Sequence, residues 1–277
     1  MVSEHLKEPN QIEYIDPRDL DRITILLHEY HNFDLNNYAS TFINRRIVYS
    51  MQKHKVGDIN EFSIRLKNPE FFEHFLSDLT VYSIDLFRDT LAWKNLFEII
   101  RNNYSPQKQL KIWFPNCANG EELYTFIILL KELGHSKHYT ITASTISSEK
   151  ILFIKRGYYE GKTEKIDISN YTKLNLVSPV STYLKVKENS LQVSSDLLKN
   201  VIFTKKNNRN KTKRADIVVF RNSLIHYSTK YHIETLQLIF QSMAAGGLLM
   251  LGLNEQMLLP ETMFNVIDEE NKIYQKI

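Results

Sequence analysis

Apolar residues recur at helical spacing through the first part of the chain. Leu20, Ile23, Leu26 and Leu27 form one set, Ile43, Ile47 and Met51 a second, Phe62 and Leu66 a third. Gly57 and Asn68-Pro69 punctuate them, and no strand alternation intervenes. The pattern predicts a string of short helices from about Asp19 to Leu76. Residues near Leu79 to Asp89 read as a connector, and a helix is expected from Trp93 to about Asn102.

From Lys111 the texture changes to strands alternating with helices. Lys111–Pro115 is strand-like, and Glu121–Leu133 reads as a helix closed by Gly134. Tyr139–Ile146 is a second strand, followed by a short helix over Glu149–Arg156 that Gly157 ends. Ala215–Phe220 is apolar on both faces, as a buried parallel strand should be. Thr229–Ala245 reads as an amphipathic helix ended by Gly246-Gly247, and Leu248–Leu253 as another apolar strand. Phe264–Ile267 and Lys272–Tyr274, flanking Asp268-Glu269-Glu270-Asn271, suggest a terminal hairpin. The β-α-β order calls for a mainly parallel sheet with helices on both faces and an antiparallel last strand. The stretch from Thr182 to Phe203 is less regular. Thr182–Lys187 and Leu191–Val193 are expected to pair as a small hairpin, an insertion into the plan.

The composition supports a sizeable core, since 43% of residues are hydrophobic. No apolar run approaches the roughly 18–20 residues of a membrane span. Met1-Val2-Ser3-Glu4-His5 carries no signal-peptide pattern. Cys117 is the single cysteine, which excludes an intrachain disulfide and makes a reducing cytoplasm the expected setting. The net charge of +3 names no partner. The basic run Lys205–Arg214 has no interleaved aromatic residue, so a solvated loop is expected rather than nucleic-acid binding. His28 and His31 share a helix face without Cys or acidic neighbours at ligand spacing, so no metal site is expected. Cys117 reads as a buried residue rather than a nucleophile.

Candidate chemistry gathers where strands end. Ligands of open α/β sheets bind outside the carboxyl ends of the strands. In Ile112-Trp113-Phe114-Pro115-Asn116-Cys117-Ala118-Asn119-Gly120-Glu121-Glu122-Leu123-Tyr124 a strand meets a glycine and then a helix start. Gly120 allows close backbone approach. Glu121 and Glu122 either favour the positive helix end or bind a cationic or hydroxyl-bearing ligand. With one glycine the run is neither a dinucleotide fingerprint nor a phosphate loop. Arg221-Asn222 ends a buried strand on the same edge, where Asn222 is either a turn former or a site residue. Arg88, in Leu86-Phe87-Arg88-Asp89, either pairs with Asp85 or Asp89 or recognises a carboxylate. Arg45 and Arg46 lie on a helix as a solvated face or as a basic face for an acidic partner.

Taken in order, the helical module, Leu-Phe-Arg-Asp, Asn-Gly-Glu-Glu-Leu-Tyr, Arg-Asn-Ser-Leu-Ile-His-Tyr and Gly-Gly-Leu-Leu-Met-Leu-Gly resemble the CheR-type chemotaxis receptor methyltransferases, from about Asp34 to Lys276. These are S-adenosylmethionine-dependent protein-glutamate O-methyltransferases. The resemblance implies an all-helical N-terminal domain (1–78), a linker and entry helix (79–110), and a Rossmann-like methyltransferase domain (111–277) with a mainly parallel sheet. A small inserted β-subdomain is expected over about 180–204. It further implies a chemoreceptor or other signalling protein as partner, met through the helical domain at Arg45 and Arg46. Arg88 then stands beside the methionine end of the cofactor and the substrate carboxylate. Asn119, Gly120 and Glu121 form the cofactor corner, Asn207 lies near the adenine, and Asn222 belongs to the Arg-Asn motif. His226 takes the place of the family's tyrosine after that motif, beside Tyr227, as a second catalytic candidate.

Several positions depart from the family pattern. Tyr82 and Ile84 replace an Asn-x-Thr before Phe-Arg, with Tyr82 placed to fill part of the cofactor pocket. Ala118 and Asn119 replace two hydroxyl residues. Thr145 replaces the aspartate that holds the ribose hydroxyls; losing a charged hydrogen-bond partner costs roughly 1.5–3 kcal/mol. The changes fall at ligand contacts and spare the apolar framework. Two readings therefore stand: an active methyltransferase, and a catalytically degenerate relative acting as a signalling interaction module.

Overall fold

A computed structural model describes residues 14–81, 85–135, 137–160, 164–187, 190–205 and 214–277. The chain divides into two compact units, Met1–Thr80 with His226–Tyr231, and Val81–Ile225 with His232–Ile277.

The first unit is helical, as the spacing predicts: α1 (Pro17–His31), α2 (Ser40–Lys53), α3 (Ile59–Leu66) and α4 (Pro69–Asp78). Side-chain caps start three of them. Asp16, Asp58 and Asn68 accept backbone N–H groups of the first turns, and Pro17 and Pro69 occupy first helical positions where no donor is needed. Ile23, Leu27, Ile43, Ile47, Met51, Phe62, Leu66 and Phe75 are buried. The segment 226–231 joins this unit through hydrogen bonds from Ala39 N to His226 O and from Ser228 N to Asn37 O.

A buried carboxylate organises the end of α4. Asp78 accepts from Ser50 Oγ at 2.8 Å and Lys53 Nζ at 2.6 Å, and His54 Nε2 lies 2.8 Å away. Its backbone carbonyl accepts from Arg46 Nε at 2.6 Å and also from Arg46 Nη2.

In the second unit α5 (Thr90–Asn103) precedes β1 (Leu110–Phe114), α6 (Glu121–Glu132), β2 (Tyr139–Thr145), α7 (Ser148–Arg156), β3 (Tyr158–Glu160) and α8 (Glu164–Leu174). There follow β4 (Leu184–Lys187), β5 (Ser190–Val193), β6 (Val201–Lys205), β7 (Ala215–Phe220), α9 (Thr229–Ser242, whose first turn belongs to the helical unit), β8 (Met243–Leu251), β9 (Phe264–Asp268) and β10 (Ile273–Lys276). Seven strands form one sheet in the order β6-β2-β1-β7-β8-β10-β9. The first five are parallel, and the β9–β10 hairpin closes the sheet antiparallel to β8. Strands β3, β5 and β4 form a second, antiparallel sheet in which the expected β4–β5 hairpin is present.

The sheet differs from the pattern-based reading in three places. Strand β3 and helix α8 lie where the pattern assigns no element, and the edge strand β6 begins within the stretch that reads as irregular. Strand β8 begins at Met243, so Gly246-Gly247 lie inside a strand instead of ending a helix. The cause is close strand approach: a Cβ on Gly247 would stand 3.0 Å from the Ala215 carbonyl oxygen and 3.2 Å from that of Asp216, at the irregular start of the β7–β8 pairing. Helix α5 starts at Thr90, a turn earlier than the apolar pattern suggests.

Candidate active site

The parallel order places the ends of β1, β2, β7 and β8 along one edge. After β1, Cys117 N donates to the Ser144 carbonyl at 2.7 Å, and Asn116 Nδ2 donates to Ser223 Oγ at 2.9 Å. The loop is thus tied to both flanking strand ends. Gly120 caps α6 with φ +94°, a left-handed conformation that favours glycine. A Cβ there would stand 2.8 Å from Ile154 Cγ2 and 3.3 Å from the Tyr159 hydroxyl oxygen.

Glu121 begins the helix and is 5% exposed. Its Oε1 has no hydrogen-bond partner among the described residues. Burial pushes the carboxyl up to about 8, and Glu122 adds to the rise; its own backbone N–H, the Asn119 side chain and the Lys150 ammonium oppose it. Asn119 Oδ1 accepts from the buried Lys150 Nζ at 2.9 Å, and the Asn119 carbonyl accepts from Tyr159 Oη at 2.6 Å. The corner is therefore a buried acceptor with one open oxygen, braced by Asn119, Lys150 and Tyr159.

A second cluster lies beside it. Arg221 Nη2 donates to Asp89 Oδ2 at 2.6 Å and Nη1 to Glu122 Oε1 at 3.3 Å, with the guanidinium 5.0 Å from the Trp93 ring centroid. Asn222, in left-handed conformation at φ 56°, donates from Nδ2 to the same Glu122 oxygen at 3.0 Å. Glu122 is raised by burial, against the pull of Arg221 and Asn222. Glu255 is 2% exposed and braces the loops behind this cluster. It accepts from Ser223 N, Leu224 N and Gly252 N, each at 2.6 Å.

Arg88 is presented by a turn whose flanking residues Phe87 and Asp89 both have φ 58°. Its side chain is 44% exposed, with Nε 3.9 Å from Asp89 Oδ1. Thr145 is buried at the end of β2 and donates its hydroxyl to the Ser147 carbonyl at 2.8 Å. Cys117 is buried, and its thiol is raised well above its ordinary value by burial and then by Glu121 and Glu122. Among the described residues no group of His, Cys, Asp or Glu stands where it could hold a metal ion. None of the described helices is long and apolar enough to cross a membrane.

The structure brings together Asn119, Gly120 and Glu121 directly, Asn222 through Glu122, and Arg88 through Asp89 and Arg221. Thr145 lies at the end of the neighbouring strand β2, and Arg45 and Arg46 belong to the helical unit. His226 belongs to the helical unit, where its ring stacks on Phe42 at 4.4 Å. Burial first, then Arg45 and Arg46, lower its pKa to about 4. Arg46 is committed to the Asp78 carbonyl and lies over the Tyr49 ring at 4.2 Å, while Arg45 Nε reaches the Thr41 carbonyl at 3.2 Å from an exposed position. Asn207 and Tyr82 fall outside the described residues. Sequence reasoning passed over Lys150, Tyr159 and Glu255. A basic or acidic residue in a polar stretch gives no sign that it will be buried.

Comparison with known proteins accords with this architecture. Residues 83–273 match the family model described as the CheR methyltransferase, SAM binding domain, and residues 18–80 match the CheR methyltransferase all-alpha domain. A Pseudomonas putida protein named for a methyltransferase, Cher3, is 26% identical over 232 residues, covering 81% of this chain and 84% of its own. The chemotaxis protein methyltransferase of Listeria innocua is 26% identical over 232 residues, covering 82% and 86%. Chemotaxis protein methyltransferase 2 of Vibrio cholerae is 21% identical over 272 residues, covering 93% and 91%. A Rossmann-like sheet whose strand ends carry the glycine corner, preceded by the family's helical domain, assigns this chain to the CheR methyltransferases, with residues 83–273 as their S-adenosylmethionine-binding domain.

Proposed function

We propose that the chain methylates glutamate side chains of a chemoreceptor-type signalling protein. The observation that carries this reading is Glu121: a nine-tenths buried carboxyl with one unpartnered oxygen, next to a left-handed glycine at the head of α6. A buried acceptor left open is costly unless a ligand supplies the donor. The α-ammonium group or a ribose hydroxyl of S-adenosylmethionine is a donor of the right chemistry. The residues present thus fit the cofactor at this corner.

When bound, S-adenosylmethionine supplies an electrophilic sulfonium methyl group. The work left to this chain is orientation and exclusion of water. A substrate carboxylate is ionised at neutral pH, so no strong base is required. Arg88 meets the methionine end of the cofactor and orients that carboxylate. Its remaining exposure suits the task, because a guanidinium that fully neutralised the carboxylate would lower its nucleophilicity. Asn119 and Gly120 shape the cofactor corner, and Asn222 holds Glu122 against the sheet. Asn207 and Thr145 remain the adenine-side and ribose-side assignments.

A specific observation favours the second reading, a non-catalytic signalling module. The Thr145 hydroxyl is buried and already donates to Ser147, and no carboxylate replaces the family's aspartate at that position. Calorimetry with S-adenosylhomocysteine separates the two. Binding, together with methyl transfer to a chemoreceptor cytoplasmic fragment recovered as base-labile methanol, supports the enzyme. Absence of heat and of thermal shift at millimolar cofactor supports the module.

A further inference from the structure

The turn that carries Arg88 is anchored from both sides by backbone contacts that no sequence motif announces. Leu86 N donates to Asp167 Oδ1 at 2.7 Å, and the Leu86 carbonyl accepts from Asn170 Nδ2 at 3.3 Å. Phe87 N donates to Thr125 Oγ1 at 3.0 Å, and that hydroxyl in turn donates to the Glu121 carbonyl at 2.8 Å. The Phe87 ring meets Tyr171 edge-on at 5.2 Å. Asp89 is held by Arg221 at 2.6 Å. Leu86, Phe87 and Asp89 are therefore fixed by their neighbours, and Arg88 is the residue of the turn whose side chain stays 44% exposed.

Two features single out Asp167 in this clamp. It is 1% exposed, and it accepts a backbone N–H from 81 residues away in the chain. A buried carboxylate bonded to N–H is among the stronger hydrogen bonds available. The turn also needs restraint, because Phe87 and Asp89 both hold left-handed backbone angles. Such conformations in non-glycine residues persist only where the surroundings over-determine them. Removing the Leu86 anchor lets the turn relax and the Arg88 guanidinium wander.

We propose that Asp167 is a positioning residue for Arg88, setting the arginine through the Leu86 amide without touching ligand itself. The proposal rests on the reading of Arg88 given above and names the residue that makes it effective.

The test uses the full chain and S-adenosylhomocysteine as probe, comparing wild type, Arg88→Ala, Asp167→Ala, Asp167→Asn and the Arg88→Ala/Asp167→Ala double variant by calorimetry. Asp167→Ala is expected to weaken binding about tenfold, as Arg88→Ala does, and the double variant to be no weaker than Arg88→Ala alone. Asp167→Asn keeps an oxygen acceptor for the Leu86 N–H and should stay close to wild type. In the ligand-free protein, hydrogen exchange at Leu86 and Phe87 and tryptic cleavage after Arg88 should accelerate in Asp167→Ala and return in Asp167→Asn. If Asp167→Ala fails to fold, Asn170→Ala, which loosens the same residue from its carbonyl side, should show a smaller loss that also disappears on the Arg88→Ala background. Losses that multiply in the double variant, unchanged exchange at Leu86, or an Asp167→Asn as weak as Asp167→Ala would each overturn the positioning role while leaving the functional reading intact. A wild type that ignores the probe overturns the functional reading, and a wild type that binds with Arg88→Ala unaffected overturns the assignment of Arg88 and the role of Asp167 with it.

Discussion

Arg221 and Asp89 are 132 residues apart in the chain and 2.6 Å apart in the fold. The guanidinium is fully buried, and it also meets Glu122. One cation thus serves two carboxylates, and the linker turn, the head of α6 and the end of β7 are joined by it. Replacing Arg221 with Met leaves both acids without their buried partner. Breaking a buried pair in this way costs about 3–5 kcal/mol. A urea titration of the variant should show its midpoint fall accordingly, whereas a midpoint within error of wild type would mean the pair contributes nothing.

Glu121 makes stability depend on pH in the opposite sense to an ordinary surface acid. Its carboxyl has an ordinary value of 4.5 and rises to about 8 in the folded chain, chiefly through burial. Between these values the folded state keeps a proton that the unfolded state releases, so the site costs stability progressively as pH rises from about 4.5 to about 8. Glu121→Gln should therefore be more stable than wild type at pH 8, by an amount on the order of a few kcal/mol, and equal to it below pH 4.5. The same variant should bind S-adenosylhomocysteine poorly. Parallel denaturation curves at every pH would contradict the assignment.

His226 works the other way. Its folded pKa of about 4 lies below the ordinary 6.5 because of burial and the nearby Arg45 and Arg46. As pH falls through that window the unfolded chain takes up a proton that the folded chain refuses, so stability is lost between about 6.5 and about 4. Thermal melts from pH 7 to 4 should show His226→Asn less acid-sensitive than wild type. An identical slope for the two proteins would remove the ring from this account.

Arg45 and Arg46 separate into two roles. Arg46 donates to the Asp78 carbonyl at the end of α4, beside the buried Asp78 carboxylate with its Ser50, Lys53 and His54 partners. Arg45 is exposed and donates to a carbonyl of its own helix. Arg46→Glu is expected to lose about 1–3 kcal/mol of stability, and Arg45→Glu to lose less than about 0.5 kcal/mol. Only Arg45→Glu is then a clean probe of partner binding through this helix. Equal melting temperatures for both variants would restore Arg46 as a surface residue.

The hidden parts of the site share a cause. In α8 the buried positions Asp167, Tyr171 and Leu174 follow helical spacing, yet the first of them is an acid, which pattern reading assigns to solvent. Glu255 and Asp78 are likewise buried acids paired with backbone or side-chain donors, and Glu121 is a buried acid with one oxygen left open. A glycine and a strand end mark Glu121 in the sequence; Asp167 and Glu255 carry no such marker.

The helical module, most of the strand and helix order, the glycine corner and the family resemblance are legible in the residues alone, because hydrophobic period and turn residues act over a few neighbouring positions. It takes the closed fold to show that Arg221 answers Asp89, that Asp167 holds Leu86, that Arg46 is tied to Asp78 and that His226 packs on Phe42. The three hydrogen-bonded pairings join residues from 32 to 132 apart in the chain, and burial selects among many possible partners only once the sheet and helices have closed around them.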